Sequence, residues 1–222
     1  MNILPWDLSV IPQKFFLFAE AASYTLQITF FGVLLGLLIG LVVALGRLSK
    51  NRALSSLSKA YIFLIRGTPL LVQLFIVYYG LTSIVTIAPI PSAIMALAVH
   101  NGAYIAEIFR GSIQSIHYGQ MEAARSLGMT HGKAMRRIVL PQAFKRAVPS
   151  LGNQLIIALK DSSLASTIAV PELMLKGRQM GSSTFMYMEM FIIVGIWYLL
   201  MTSVLTYVIH RVEEKLKVSD RD

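Results

Sequence analysis

The stretch Ala21–Gly46, AASYTLQITFFGVLLGLLIGLVVALG, decides the fold class because it carries no charge from end to end. A helix needs roughly 20 mostly apolar residues to cross about 30 Å of hydrocarbon, and this stretch exceeds that. The whole chain has the same character. Of its 222 residues, 55% are hydrophobic and 14% charged, against roughly 45–50% and about 25% in soluble domains. Mean hydropathy is +0.65. There is too little polar surface to clothe a soluble domain, and the absence of cysteine excludes a disulfide scaffold.

Working outward, Gly67–Ala106 is also free of Asp, Glu, Lys and Arg, but is too long for one crossing, and Ala88-Pro89-Ile90-Pro91 divides it with a turn. Met190–Ile209 is a further uncharged run. Ala147–Leu159 alone is short, so a helix there must continue past Lys160 and Asp161 toward Ile168. The pattern predicts an all-α integral membrane protein with one transmembrane domain over residues 1–222 and five spans near 22–46, 67–85, 91–110, 145–168 and 187–210.

Charge sets the orientation. Asp7, Pro12 and Glu20 precede the first span, without the basic flank of a removable signal peptide. Arg47, Lys50, Arg52 and Lys59 follow it. Positive residues accumulate on the cytoplasmic side, which places the N-terminus outside and, after five crossings, the C-terminus in the cytoplasm. The segment Arg110–Arg146 and the tail with Arg211, Lys215, Lys217 and Arg221 then add inside charge, while Lys14, Lys176 and Arg178 lie outside. The net charge of +9 is therefore topological, and nucleic acid is not expected as a partner; the lipid bilayer is.

Within the spans, Gly32, Gly36, Gly40 and Ala44 recur every four positions and line one helix face with small residues. That lets a second backbone approach, either within the bundle or across a subunit interface. Leu57, Ala60, Tyr61 and Leu64 form an apolar stripe suited to a helix at the membrane surface. A straight helix from Ser55 to Ile84 would run about 45 Å, so Arg66-Gly67-Thr68-Pro69 is a useful place to bend. Gln73, His100, Asn101, Asp161 and Ser163 lie at membrane depth, where polar groups are expensive and face a polar interior or cavity. Gln73 suits a hydrogen bond between helices or a ligand contact. Asp161 has a short side chain that cannot reach far, and either lines a solute pathway or snorkels to the surface. Glu107 and Arg110 stand at i, i+3 and suit an ion pair.

The segment 111–144 is long enough to fold. Ala123, Ala124 and Leu127 share one helical face, and Ala134, Met135, Ile138 and Val139 share another. Gly128 fits a left-handed C-cap, and Thr130 an N-cap. Two short amphipathic helices with a corner are expected, stopped at Pro141. Such an element is built either to dock on a partner or to lie on anionic lipid.

Glu122-Ala123-Ala124-Arg125-Ser126-Leu127-Gly128, followed by Leu140-Pro141, resembles the signature loop of permease subunits of bacterial ATP-binding-cassette importers: Glu-Ala-Ala, three residues, Gly, then a hydrophobic-Pro pair. Arg66-Gly67-Thr68-Pro69-Leu70 with Gln73, Ala103–Gly111, and Lys160-Asp161-Ser162-Ser163-Leu164 are similar to its polar amino-acid branch, and the resemblance runs from about Tyr24 to Ile209. His100 departs from that pattern, where Leu or Ser before Asn is usual.

The resemblance implies a multi-pass protein of the bacterial cytoplasmic membrane that imports an amino acid. Two permease subunits, identical or homologous, form the pathway, two cytoplasmic ATPase subunits power it, and an extracytoplasmic binding protein delivers the solute. Glu122, Ala123, Ala124, Gly128 and Pro141 fall in the coupling loop between spans three and four. Asn101 and Asp161 are the leading solute contacts, with Ser163, Gln73 and His100 beside them. No cofactor is expected in this chain, ATP and magnesium belonging to the partner.

The residues agree that this chain is not itself an ATPase. Gly128–Lys133 has three residues between its glycines where a phosphate loop has four, and Ala134 stands where Ser or Thr would hold magnesium. No metal-ligand spacing or nucleophile motif is present. The rival reading is a self-sufficient channel or secondary carrier for a small polar solute, which would need no docking loop and usually shows internal repeats.

Overall fold

The computed structural model describes residues 6–218; Arg221, counted above in the basic tail, lies outside them. All regular structure among the described residues is helical, without strands. Helix α1 (Val10–Lys14) passes through a 3-10 turn at Phe15–Phe18 into α2 (Ala19–Arg47), and Asn51 then opens α3 (Arg52–Arg66) by accepting from the Ala53 and Leu54 N–H groups. Between α3 and α4 (Leu70–Phe75) the chain bends by 103°. The cause is local: Pro69 has no N–H to continue the ladder and biases Thr68 away from helical geometry. Prolines occupy the opening turn of α5 (Pro89–Gln114), where a missing N–H costs nothing.

The first long helix packs on α5 through its small residues. A Cβ at Gly32 would stand 2.8 Å from Leu97, at Gly36 3.2 Å from Asn101, and at Gly40 2.6 Å from Ile105. The four-residue spacing is thus used inside the chain, which settles the choice between bundle and subunit interface for this face. Ile28, Leu74, Leu97 and Ile168 form one core at this junction, and Phe18, Leu159, Leu173, Met190 and Ile193 another, where α2 meets the later helices.

After α5 come α6 (Tyr118–Ser126) and α7 (His131–Ala134), then a widened π turn at Met135–Val139 leading into α8 (Leu140–Asp161). A 3-10 turn at Ser162–Ile168 follows, then α9 (Leu173–Thr184) and α10 (Tyr187–Val218). Three elements are long and apolar enough to cross a membrane, namely Val10–Arg47, Pro89–Gln114 and Tyr187–Leu216, and a fourth crossing arises if Arg52–Arg66 and Leu70–Gly80 make one broken span. Their outward residues are apolar: Phe30, Leu38, Val42, Leu199 and Val204 are all largely exposed. A belt of this kind fits an apolar solvent.

Several expectations need correction. The helix expected over 67–85 is regular only from Leu70 to Gly80, about 16 Å at 1.5 Å per residue, too short to cross without α3. Pro141 does not stop the second loop helix. It lies in the first turn of α8, and the π turn before it removes the clash a proline would otherwise make with the preceding turn. On α6 the buried face is Met121 and Ala124, while Ala123 is exposed and Leu127 is 82% exposed.

Candidate functional site

Where α4, α5 and α8 meet, three of the polar residues marked in the sequence come together with a fourth, Gln154. Gln73 Nε2 donates to the carbonyls of Ile65 (2.8 Å) and Thr68 (3.1 Å) and contacts the Thr68 hydroxyl (2.9 Å), so its amide is spent on the elbow between α3 and α4. This fixes Oε1 toward His100 Nδ1 at 3.1 Å. Because an amide oxygen only accepts, Nδ1 carries the proton in this pairing. The His100 ring lies 5.1 Å from that of Tyr104, over which Arg66 is placed at 5.1 Å.

One residue further along α5, Asn101 is fully buried. Its Nδ2 donates to the Leu97 carbonyl at 2.8 Å, and its Oδ1 accepts from Gln154 Nε2 at 2.8 Å. The small Gly36 opposite makes room for it. Among the described residues no buried side-chain nitrogen or oxygen lacks a partner. A satisfied network of this kind holds three helices in one register.

Asp161 and Ser163 lie apart from this network. Asp161 is two helical turns beyond Gln154 on the same face of α8, about 10 Å along the axis. It is partly exposed, beside exposed Lys160, and its side chain makes no hydrogen bond among the described residues. An accessible carboxylate with unused acceptor capacity can take a cationic group, which the buried amides cannot do without opening the bundle. Ser163 is half-buried, and its neighbour Ser162 spends its hydroxyl on the Leu159 carbonyl at 2.8 Å.

The loop residues form a separate unit. Gly128 has φ +81°, with its N–H on the Arg125 carbonyl (2.9 Å) and the Met129 N–H on the Ala124 carbonyl (3.2 Å). This is the paired closure of a left-handed C-cap. Thr130 Oγ1 accepts from the Lys133 N–H at 3.4 Å, opening α7. Ile116, Met121, Ala124, Ala134, Val139 and Ala143 close a small core beneath the corner, leaving Glu122 exposed on α6. The result is a cornered hook packed against the start of α8, with Glu122 and Arg125 exposed on α6 beside exposed Tyr118 and Leu127.

One buried polar cluster escaped the sequence reading. Glu172, fully buried, caps α9 by accepting from the N–H groups of Met174 (2.9 Å) and Leu175 (2.8 Å), and it also takes the Tyr198 hydroxyl at 3.2 Å. Arg178 reaches the Ser166 carbonyl at 2.9 Å, and the Leu173 N–H reaches Thr25 Oγ1 at 3.3 Å. Burial pushes the Glu172 carboxyl up to about 7, against the downward pull of its hydrogen-bond donors and Arg178. The available signal was local: a carboxylate directly after Pro171 and ahead of an apolar run reads as an N-cap.

Comparison with known proteins agrees with the signature loop. Residues 32–218 match the family model described as "Binding-protein-dependent transport system inner membrane component". The chain is 41% identical to the nopaline transport system permease protein NocM of Agrobacterium fabrum, over 90% of this chain and 88% of that protein. It is 40% identical to the L-cystine transport system permease protein TcyB of Bacillus subtilis (96% and 92%) and 36% identical to the glutamine transport system permease protein GlnP of Escherichia coli (97% and 100%). Among solved structures it is similar to a chain of "an amino acid ABC transporter with histidines", with TM-score 0.90, 38% identity, and coverage of 96% of this chain and 100% of that one.

Proposed function

The chain belongs to the family of binding-protein-dependent transport system inner membrane components, and from that premise we propose that it is the membrane-spanning subunit of an ATP-driven amino-acid importer in a bacterial cytoplasmic membrane. The observation that carries this reading is the hook at α6 and α7, a rigid corner with Glu122 exposed on its outer face. A hook whose small core includes Ala143 at the start of α8 passes a push on its outer face to that helix, and so serves as a lever for a separate engine. Relatives named for nopaline, cystine and glutamine transport support an amino-acid solute.

In this reading five crossings put the N-terminus outside and the C-terminus in the cytoplasm, with α3 and α4 as one broken span and α8 with its 3-10 extension as the fourth. The sidedness is supported by the clustering of Arg47, Lys50, Arg52 and Lys59 with the basic segment Arg110–Arg146. Two such subunits, identical or homologous, enclose the pathway. Two cytoplasmic ATPase subunits bind ATP and magnesium and seat the loop helices, and an extracytoplasmic binding protein delivers the solute. Closure of the ATPases around ATP drives the hooks together and swings the spans between inward and outward access.

Asp161 is the solute contact of choice, pairing with the ammonium group of an amino acid, and Ser163 follows two residues on in the 3-10 turn. Asn101, Gln73 and His100 act at one remove, holding α4, α5 and α8 in register around the path. In proteoliposomes containing the assembled transporter, Glu122→Arg is expected to abolish ATP-driven uptake while leaving membrane insertion and thermal stability unchanged. Normal uptake by that variant would refute the lever.

A further inference from the structure

At one end of the bundle a pocket of about 480 Å³ opens between α2, α3 and α5, lined by Arg47, Lys59, Ile62, Phe63, Arg66 and Glu107 among others. Nothing in the transport cycle described above uses it. Three cations converge on it against one carboxylate. That carboxylate is already occupied: Glu107 is held by Arg110, Nε reaching its two oxygens at 3.0 and 3.1 Å and Nη2 reaching Oε2 at 2.7 Å. Arg47 stands 4.0 Å from Glu107, too far for a strong bond, and the Arg66 guanidinium carbon is placed over the Tyr104 ring, 5.1 Å from its centroid. The pocket is therefore left with a surplus of positive charge and a shortage of acceptors.

Its walls are of two kinds. Lys59, Ile62, Phe63 and Arg66 recur at i, i+3, i+4 and i+7, so one face of α3 alternates cation and apolar group. Phe63 is 78% exposed, and the adjoining Leu64 is 60% exposed. A free anion would need the cations and would gain nothing from the uncovered apolar side chains. An amphiphile needs both, with its anionic group among the cations and its chains along Phe63 and Leu64. The pocket also sits at the terminus of the first long apolar helix, Arg47 being its last residue, which is headgroup depth for a molecule anchored in the same leaflet.

We propose that this pocket is a binding site for the phosphate headgroup of an anionic phospholipid of the cytoplasmic leaflet, held by Arg47, Lys59 and Arg66 with its acyl chains against α3. Only the sidedness of the leaflet rests on the transport reading. Occupation would brace α3 against α2 and α5 on the pocket side of the elbow, the same elbow that Gln73 ties to His100 from within.

The test uses the assembled transporter purified in detergent, titrated with phosphatidylglycerol, phosphatidylcholine or inorganic phosphate and read by native mass spectrometry. Wild type is expected to retain phosphatidylglycerol in preference to phosphatidylcholine, and millimolar phosphate should not displace it. Each cation near an anionic lipid is worth about five-fold in affinity, so Lys59→Gln should weaken retention about five-fold, and Arg47→Gln with Arg66→Gln more. Lys50→Gln, basic and nearby but outside the pocket, should change it less than about two-fold. Lys59 is exposed, so its variant keeps the test open if the double variant misfolds. Equal retention of both lipids, an equal loss on Lys50→Gln, or release by inorganic phosphate would overturn the proposal. Uptake is measured separately. Lipid retention without ATP-driven uptake would refute the transport reading and leave this site standing, and normal uptake without retention would refute the site alone.

Discussion

Gln154 Nε2 donates to Asn101 Oδ1 at 2.8 Å inside the bundle, so a residue of α8 and a residue of α5 satisfy each other with both side chains buried. Removing one partner strands the other. Asn101→Leu or Gln154→Leu alone is expected to cost about 1–3 kcal/mol, whereas the double apolar variant should cost less than the sum of the two singles. Thermal unfolding of the purified chain and its three variants measures this. Additive losses would show that the pair is not coupled.

The close seat of α2 on α5 makes a graded test of packing. At Gly40 a Cβ would meet Ile105 at 2.6 Å and the Ala106 backbone at 3.1 Å, at Gly36 the nearest contact is 3.2 Å, and at Gly111 nothing lies within 4 Å. Gly40→Ala is therefore expected to destabilise most, by about 1–3 kcal/mol, Gly36→Ala less, and Gly111→Ala to be neutral or stabilising, since alanine favours the helix by roughly 1 kcal/mol. Equal stability of all three would contradict the packing described.

Glu172 gives the chain a pH dependence. Its carboxyl binds a proton more tightly in the folded chain, at about 7, than its ordinary value of 4.5. Between those values the folded state holds more protons than the unfolded one, so stability from this group is full below about pH 4.5 and falls as pH rises to about 7. Glu172→Gln should flatten that slope. Melting temperatures at pH 5 and pH 8 measure it, and an unchanged slope in the variant would assign the effect elsewhere.

The corner of the loop depends on one backbone angle. Gly128 has open space around it but a φ of +81°, so Gly128→Val fails on conformation and not on contact. The expected outcome is a chain that inserts and melts nearly as wild type while its uptake in the assembled transporter falls at least ten-fold. Full uptake would mean that the hook need not be rigid.

Much of this was legible in the sequence, and the reasons differ from place to place. The small-residue face of α2, the elbow at Thr68-Pro69 and the Gly128 cap rest on local stereochemistry, which spacing and residue type reveal directly. The role of Gln73 was half legible: polarity at membrane depth marked it, but that its amide ties the elbow to His100 depends on which helices meet. Spacing puts Leu127 on one helical face with Ala123 and Ala124, yet Leu127 lies in the capping turn and is exposed, and Met121 is buried with Ala124 instead. Pro141 reads as a stop because a proline at a helix interior breaks it, and only the widened turn before it converts that position into a first turn. The N-cap role of Glu172 is local, but its burial is not legible, because the Tyr198 hydroxyl that meets it comes from a distant helix.

The most direct measurement is uptake of radiolabelled amino acids by proteoliposomes that contain this chain with or without the proposed partner ATPase, the proposed binding protein being supplied outside with its solute. Solute should be concentrated only when both the ATPase and ATP are present, and Asp161→Ala should reduce that uptake without preventing assembly. Accumulation of solute by the chain alone, driven by an ion gradient, would contradict the assignment and make it a self-sufficient carrier.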